Sequence, residues 1–119
     1  MKPIFFTSQK EFRKWLIRNH EKETELIVGF YKVSCGIACM TWSQSVDEAL
    51  CFGWIDGVSK SIDENCYQVR FTQRKPTSIW STINIKKVEV LTSKGLMYPA
   101  GVKAFKKRKD EKSNIYAHE

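Results

Sequence analysis

The stretch Trp54-Ile55-Asp56-Gly57-Val58-Ser59-Lys60-Ser61-Ile62-Asp63-Glu64-Asn65-Cys66-Tyr67-Gln68-Val69-Arg70-Phe71-Thr72-Gln73-Arg74 decides the fold. Tyr67, Val69 and Phe71 alternate with Gln68, Arg70 and Thr72, the two-residue period of a half-buried strand. Two strands are predicted, about 55–62 and 66–74, joined by Asp63-Glu64-Asn65. A loop of those three residues sets Ile62 opposite Cys66, Ser61 opposite Tyr67, Gly57 opposite Phe71, Asp56 opposite Thr72 and Trp54 opposite Arg74. The core face then holds Ile55, Gly57, Ser59 and Ser61 against Tyr67, Val69 and Phe71. The solvent face holds Trp54, Asp56, Val58 and Lys60 against Gln68, Arg70, Thr72 and Arg74. A loop one residue shorter or longer exchanges the faces and sets Asp56 and Lys60 among aromatics. Burying an unpaired carboxylate costs several kcal/mol, which excludes those registers.

Outward from the hairpin, Thr41 with Gln44, or Ser43, is expected to cap a helix over about 44–53, with Val46, Ala49 and Leu50 on its apolar stripe. Before it, Glu25–Lys32 is a short β-rich run and Ser8, with Glu11 three residues on, opens a helix over 9–20. After the hairpin, Lys75-Pro76 stops the strand and Thr77 or Ser78 is expected to cap a helix reaching about Lys94, where Gly95 suits the C′ position. Pro99 suits the first position of a last helix, about 99–109. The expected class is α+β: a small, mostly antiparallel sheet of about three strands, with about four helices packed largely on one face. One domain over 1–105 is expected, followed by a basic, polar tail over 106–119.

With 119 residues, 42% of them hydrophobic and 13% aromatic, the chain suits one folded domain and not a disordered segment. No apolar run approaches the roughly 20 residues that span a bilayer, and the start lacks a secretory apolar region, so a cytoplasmic protein without membrane insertion is expected. Cys35, Cys39, Cys51 and Cys66 are not expected to form a disulfide framework there, and their spacing does not make a zinc site. Neither a metal nor another cofactor is expected. The net charge of +7 belongs to residues 64–119, with twelve basic and five acidic side chains; residues 1–63 balance eight against eight.

Around the hairpin these features converge. Arg70 and Arg74 would flank Asp56 diagonally, leaving net positive charge and unused donors, and Arg74 could stack on Trp54. Lys75 adds a cation, and Thr72 lies between the arginines. In the following helix Trp80, Asn84 and Val88 recur every four residues with Ile83 and Leu91 beside them, so an amide interrupts an apolar stripe. Trp54, Asp56, Arg70, Thr72, Arg74, Lys75, Trp80 and Asn84 are therefore the candidate ligand-binding residues, forming a cationic, aromatic-lined cleft for an anionic ligand such as a nucleotide, sugar phosphate or carboxylate. The plainer alternative is a solvated sheet face with Asn84 fixing packing. Two other functions compete: nucleic-acid binding through the basic second half, and an enzyme using Asp56 or Glu48 as general base with Arg70 or Arg74 holding an anion. The two arginines would depress the Asp56 pKa and make it a weak base.

Four motifs carry a family resemblance: Trp42-x4-Asp47-Glu48-Ala49-Leu50-Cys51-Phe52-Gly53-Trp54-Ile55-Asp56-Gly57, Arg70-Phe71-Thr72-x-Arg74-Lys75-Pro76, Ser78-Ile79-Trp80-Ser81-x-x-Asn84-Ile85 and Gly95-x-Met97-x-Pro99-Ala100-Gly101. Over about Phe5 to Tyr116 the chain resembles the YdeI/OmpD-associated family of small bacterial proteins. Members usually carry Pro where Ser43 and Gln73 occur here, and they continue past the segment resembling Ser113-Asn114-Ile115-Tyr116. The resemblance thus implies the N-terminal part of a longer protein, or a short form. It implies a role in bacteriocin protection or stress response and supplies no catalytic residues.

Overall fold

A computed structural model describes residues 2–108. Most of the expected tail, residues 109–119, lies outside the described residues. The elements run β1 (Ile4–Phe5), α1 (Gln9–Asn19), β2 (Glu25–Tyr31), a 3-10 turn (Val33–Cys35), α2 (Trp42–Cys51), β3 (Trp54–Ser61), β4 (Cys66–Gln73), α3 (Thr82–Ser93) and α4 (Pro99–Lys106). The class is α+β, and the sheet order is β1-β2-β4-β3. β2, β4 and β3 are antiparallel, while the two-residue β1, an addition to the expected three strands, lies parallel to β2.

Local capping explains the helices. Ser8 Oγ accepts from the Glu11 N–H, and Thr41 with Gln44 makes a reciprocal capping box, so α2 begins at Trp42 rather than at 44. Register explains the core. Leu26 opposite Phe71 and Val28 opposite Val69 share one sheet face, and they join Phe12, Leu16, Leu50 and Val88 from the helices and Phe52 just beyond α2 in one apolar cluster. Two glycines bring α4 onto the end of α2. Gly53 adopts a left-handed φ of 76°, and a side chain at Gly101 would meet the Cys51 carbonyl oxygen at 2.2 Å.

The hairpin register is half as expected. Asp63 Oδ1 accepts from the N–H groups of Asn65 at 2.7 Å and Cys66 at 3.1 Å, closing the three-residue loop, and Ser61 faces Tyr67. Between Asp56 and Ser59 the register shifts at a β-bulge, so Asp56 lies opposite Phe71 rather than Thr72, and Trp54 opposite Gln73 rather than Arg74. Beyond the bulge every side chain changes face. Trp54 turns into the core, 1% exposed, and Ile55 turns out beside Thr72. Burying an indole is worth about 2–3 kcal/mol. The half-buried Asp56 sits on an edge strand, where its carboxylate avoids the full desolvation that excluded this face from the sequence.

Candidate functional site

Arg74 is the first residue beyond β4, and its N–H donates to the Gly53 carbonyl at 2.8 Å. Freed from the sheet, its side chain lies over the Trp80 ring, 3.7 Å from the centroid, and Nη1 donates to Ser78 Oγ and to the Ile79 carbonyl at 3.0 Å each. These bonds hold residues 77–80 outside the helix that Thr77 or Ser78 was expected to start. Ser81 is the cap instead, its Oγ accepting from the Asn84 N–H. Trp80 is buried, with its ring edge-on to Phe105 at 5.3 Å, and Arg108 lies over the Phe105 ring at 3.8 Å.

Burial pushes the Arg74 guanidinium down to about 10, and the charge of Asp56 partly restores it. Arg74 Nε and Nη2 are buried and find no hydrogen-bond partner among the described residues. Those two nitrogens form the edge of a guanidinium that grips two-oxygen anions side-on.

Arg74 and Lys75 form a wall between two clefts. The first, of about 340 Å³, is lined also by His20, Glu21, Lys103 and Lys107. The second, of about 650 Å³, adds Glu25, Arg70, Thr72 and Ser78. In the first cleft three ammonium groups and the guanidinium face one carboxylate, Glu21. Its rim is set by Gln73, whose Nε2 donates to the His20 and Glu23 carbonyls at 3.0 and 2.9 Å.

The structure thus brings together Arg74, Lys75 and Trp80, with Arg70 and Thr72 in the adjoining cleft. Trp54 serves the core, donating from Nε1 to the His20 carbonyl at 3.4 Å. Arg70 does not flank Asp56: it points to the opposite sheet face and grips Glu25 Oε2 through Nε and Nη2 at 2.9 and 2.5 Å. Asp56 lines a different cleft of about 380 Å³ with Trp42 and Tyr67. Asn84 is half-buried in the first turn of α3, and the Trp80-Asn84-Val88 helical stripe is not formed because Trp80 precedes the helix. Glu48 is buried far along α2 and engaged by Arg13 Nη1 at 2.8 Å and Gln9 Nε2 at 2.5 Å, not by Arg70 or Arg74. His20, Lys103 and Lys107 line the first cleft without belonging to the set expected from the sequence. The four-residue spacing of Lys103 and Lys107 was the available signal, obscured by the denser run Lys106-Lys107-Arg108-Lys109.

Among the described residues no group of three His, Cys, Asp or Glu is placed to hold a metal ion, and no helix is long and apolar enough to cross a membrane. No curated protein and no solved structure matches the chain. One family model matches residues 4–104, that of a domain of unknown function, DUF8412. With nearly all of β1 through α4 inside that match, the chain belongs to the DUF8412 family.

Proposed function

We propose that this protein is a non-catalytic binding module whose cationic cleft beside Arg74 takes a small anionic ligand, a phosphate ester or carboxylate. One observation carries the reading: a buried guanidinium stacked on Trp80 leaves its two-donor edge unsatisfied at the junction of two clefts. Leaving buried donors unmade costs about 1–3 kcal/mol each, which an anion's oxygens would recover. Lys75, Lys103 and Lys107 supply the long-range attraction at the mouth, and Arg74 supplies directional recognition. Both Arg74 nitrogens are sealed from solvent, so binding requires the turn over Lys75–Ser78 to yield.

The test is a thermal-shift series with inorganic phosphate, pyrophosphate and acetate at constant ionic strength, on the wild type and on Lys103→Ala/Lys107→Ala. The expected result is a concentration-dependent rise in Tm with phosphate or pyrophosphate that shrinks in the double variant. Equal responses from both proteins would remove the proposal. Retardation of single-stranded oligonucleotides with a steep salt dependence would replace the small ligand by nucleic acid. The proposed setting is cytoplasmic. Kinship with the YdeI/OmpD-associated family, and with it a stress or bacteriocin-protection role, is a proposal resting on the four motifs alone.

A further inference from the structure

At the other end of the sheet, away from the cationic cleft, two thiols meet one peptide unit. Cys35 ends the 3-10 turn that follows β2, and its Sγ–H donates to the Lys32 carbonyl at 3.0 Å and to the Asn65 carbonyl at 3.2 Å. Asn65 is bonded to Cys66, so the Cys66 side chain leaves the far end of that same peptide unit. The Lys32 N–H donates to the Asn65 carbonyl at 2.9 Å and Tyr31 pairs with Cys66, which holds the turn against the hairpin tip. The turn itself is open to solvent: Val33 is 98% exposed. Cys66 is buried, with its thiol at 3.4 Å from Asp63 Oδ1. Reactive cysteines need access, and the Cys35 thiol already rests on the peptide unit from which the Cys66 side chain departs.

We infer that Cys35 and Cys66 are a redox-active dithiol, a site oxidised by peroxides to a disulfide that clips the 33–36 turn onto the β3–β4 hairpin. Cys35, the more accessible, attacks a peroxide oxygen. The O–O bond breaks, an S–O bond forms, sulfur gives up two electrons, and the Cys35 proton leaves with the released alcohol, or with water when the oxidant is hydrogen peroxide. Cys66 sulfur then attacks the sulfenic sulfur of Cys35. The S–S bond forms, the S–O bond breaks, and water departs with the Cys66 proton. Burial and the neighbouring Asp63 and Cys35 push the Cys66 thiol up, which disfavours its thiolate and leaves the first attack to Cys35. Cys39 is the competing partner, but its thiol donates to the Met40 carbonyl at 3.1 Å, and Cys51 lies in the core.

The experiment treats the whole chain, dilute and reduced, with hydrogen peroxide, then alkylates it in denaturant and maps tryptic peptides without reduction. Cys35 falls in the peptide Val33–Lys60 and Cys66 in Ser61–Arg70. The expected product is a link between these two peptides, with the four alkylatable thiols falling to two and returning to four on treatment with dithiothreitol. Cys39→Ser and Cys51→Ala are expected to keep the link and Cys35→Ser to lose it. A Cys35–Cys39 bond, a link between two copies, or Cys35 oxidised to the sulfinic acid without any link would each overturn the proposal. Fragmentation of the linked peptides separates Cys35 from Cys39 and Cys51, which share its tryptic peptide, and a non-reducing gel separates a link within one chain from one between two copies, so the wild type decides even where a variant fails to fold.

Discussion

Arg70 and Arg74 lie four residues apart on one stretch of chain, and strand parity alone would give them the same surroundings. Arg70, inside β4, stays at the surface and grips Glu25. Arg74, one residue beyond the strand, is drawn inward over Trp80, bonded to Ser78 and Ile79. The difference teaches that the sheet's last hydrogen bond separates a solvated cation from a buried one. An exposed ion pair contributes little, because water competes for both charges. A buried guanidinium organises what it touches: Nη1 draws in Ser78 and the Ile79 carbonyl, while Nε and Nη2 find no partner among the described residues and form the edge left for an anion.

The largest way to break this comparison is Trp80→Ala. Losing a buried indole and the platform under Arg74 should cost about 3–5 kcal/mol, read as a lower denaturant midpoint at unchanged slope. Arg74→Lys should cost about 1–3 kcal/mol in the same assay, because an ammonium cannot reach Ser78 and the Ile79 carbonyl together while stacking on the ring. Arg70→Ala should cost under about 1 kcal/mol, and it should leave the phosphate response of the first cleft in place. An equal loss from Arg70→Ala and Arg74→Lys would erase the distinction.

A pH series sharpens it. Burial depresses Arg74 to about 10 in the folded chain, below its ordinary value, so between the folded and unfolded values the unfolded chain binds more protons. Stability from this group therefore rises with pH through that window, as the burial of charge is relieved. Unfolding of wild type and Arg74→Met at pH 9 and 11 should show the wild type gaining on the variant at the higher pH. A parallel shift in both proteins would count against a buried guanidinium.

Much of this was legible in residue order. The Tyr67, Val69 and Phe71 alternation marks β4, Ser8 and Thr41 mark the starts of two helices, Pro99 opens α4, and Asp63 to Asn65 closes the hairpin. Arg74, Lys75 and Trp80 were identified as a set, although for Arg74 the expected aromatic neighbour was Trp54. The bulge at Gly57-Val58 was not legible. Gly57 inside the strand is the one local hint of a bulge, and the buried place of Trp54, edge-on against Trp15, goes with the shifted register. The late start of α3 was hidden too: Ser78 is an adequate cap in isolation, but its hydroxyl is claimed by Arg74.

Residue order by itself settled the α+β class, most of the elements and the excess of positive charge in the second half, because capping, alternation and charge depend on near neighbours in the chain. Tertiary structure alone decided which way Trp54 and Asp56 face, which of two arginines is buried, and that Lys103 and Lys107 line the first cleft with Arg74 and Lys75. Those outcomes turn on filling space between elements distant in sequence, where burying one large ring outweighs the parity of a strand.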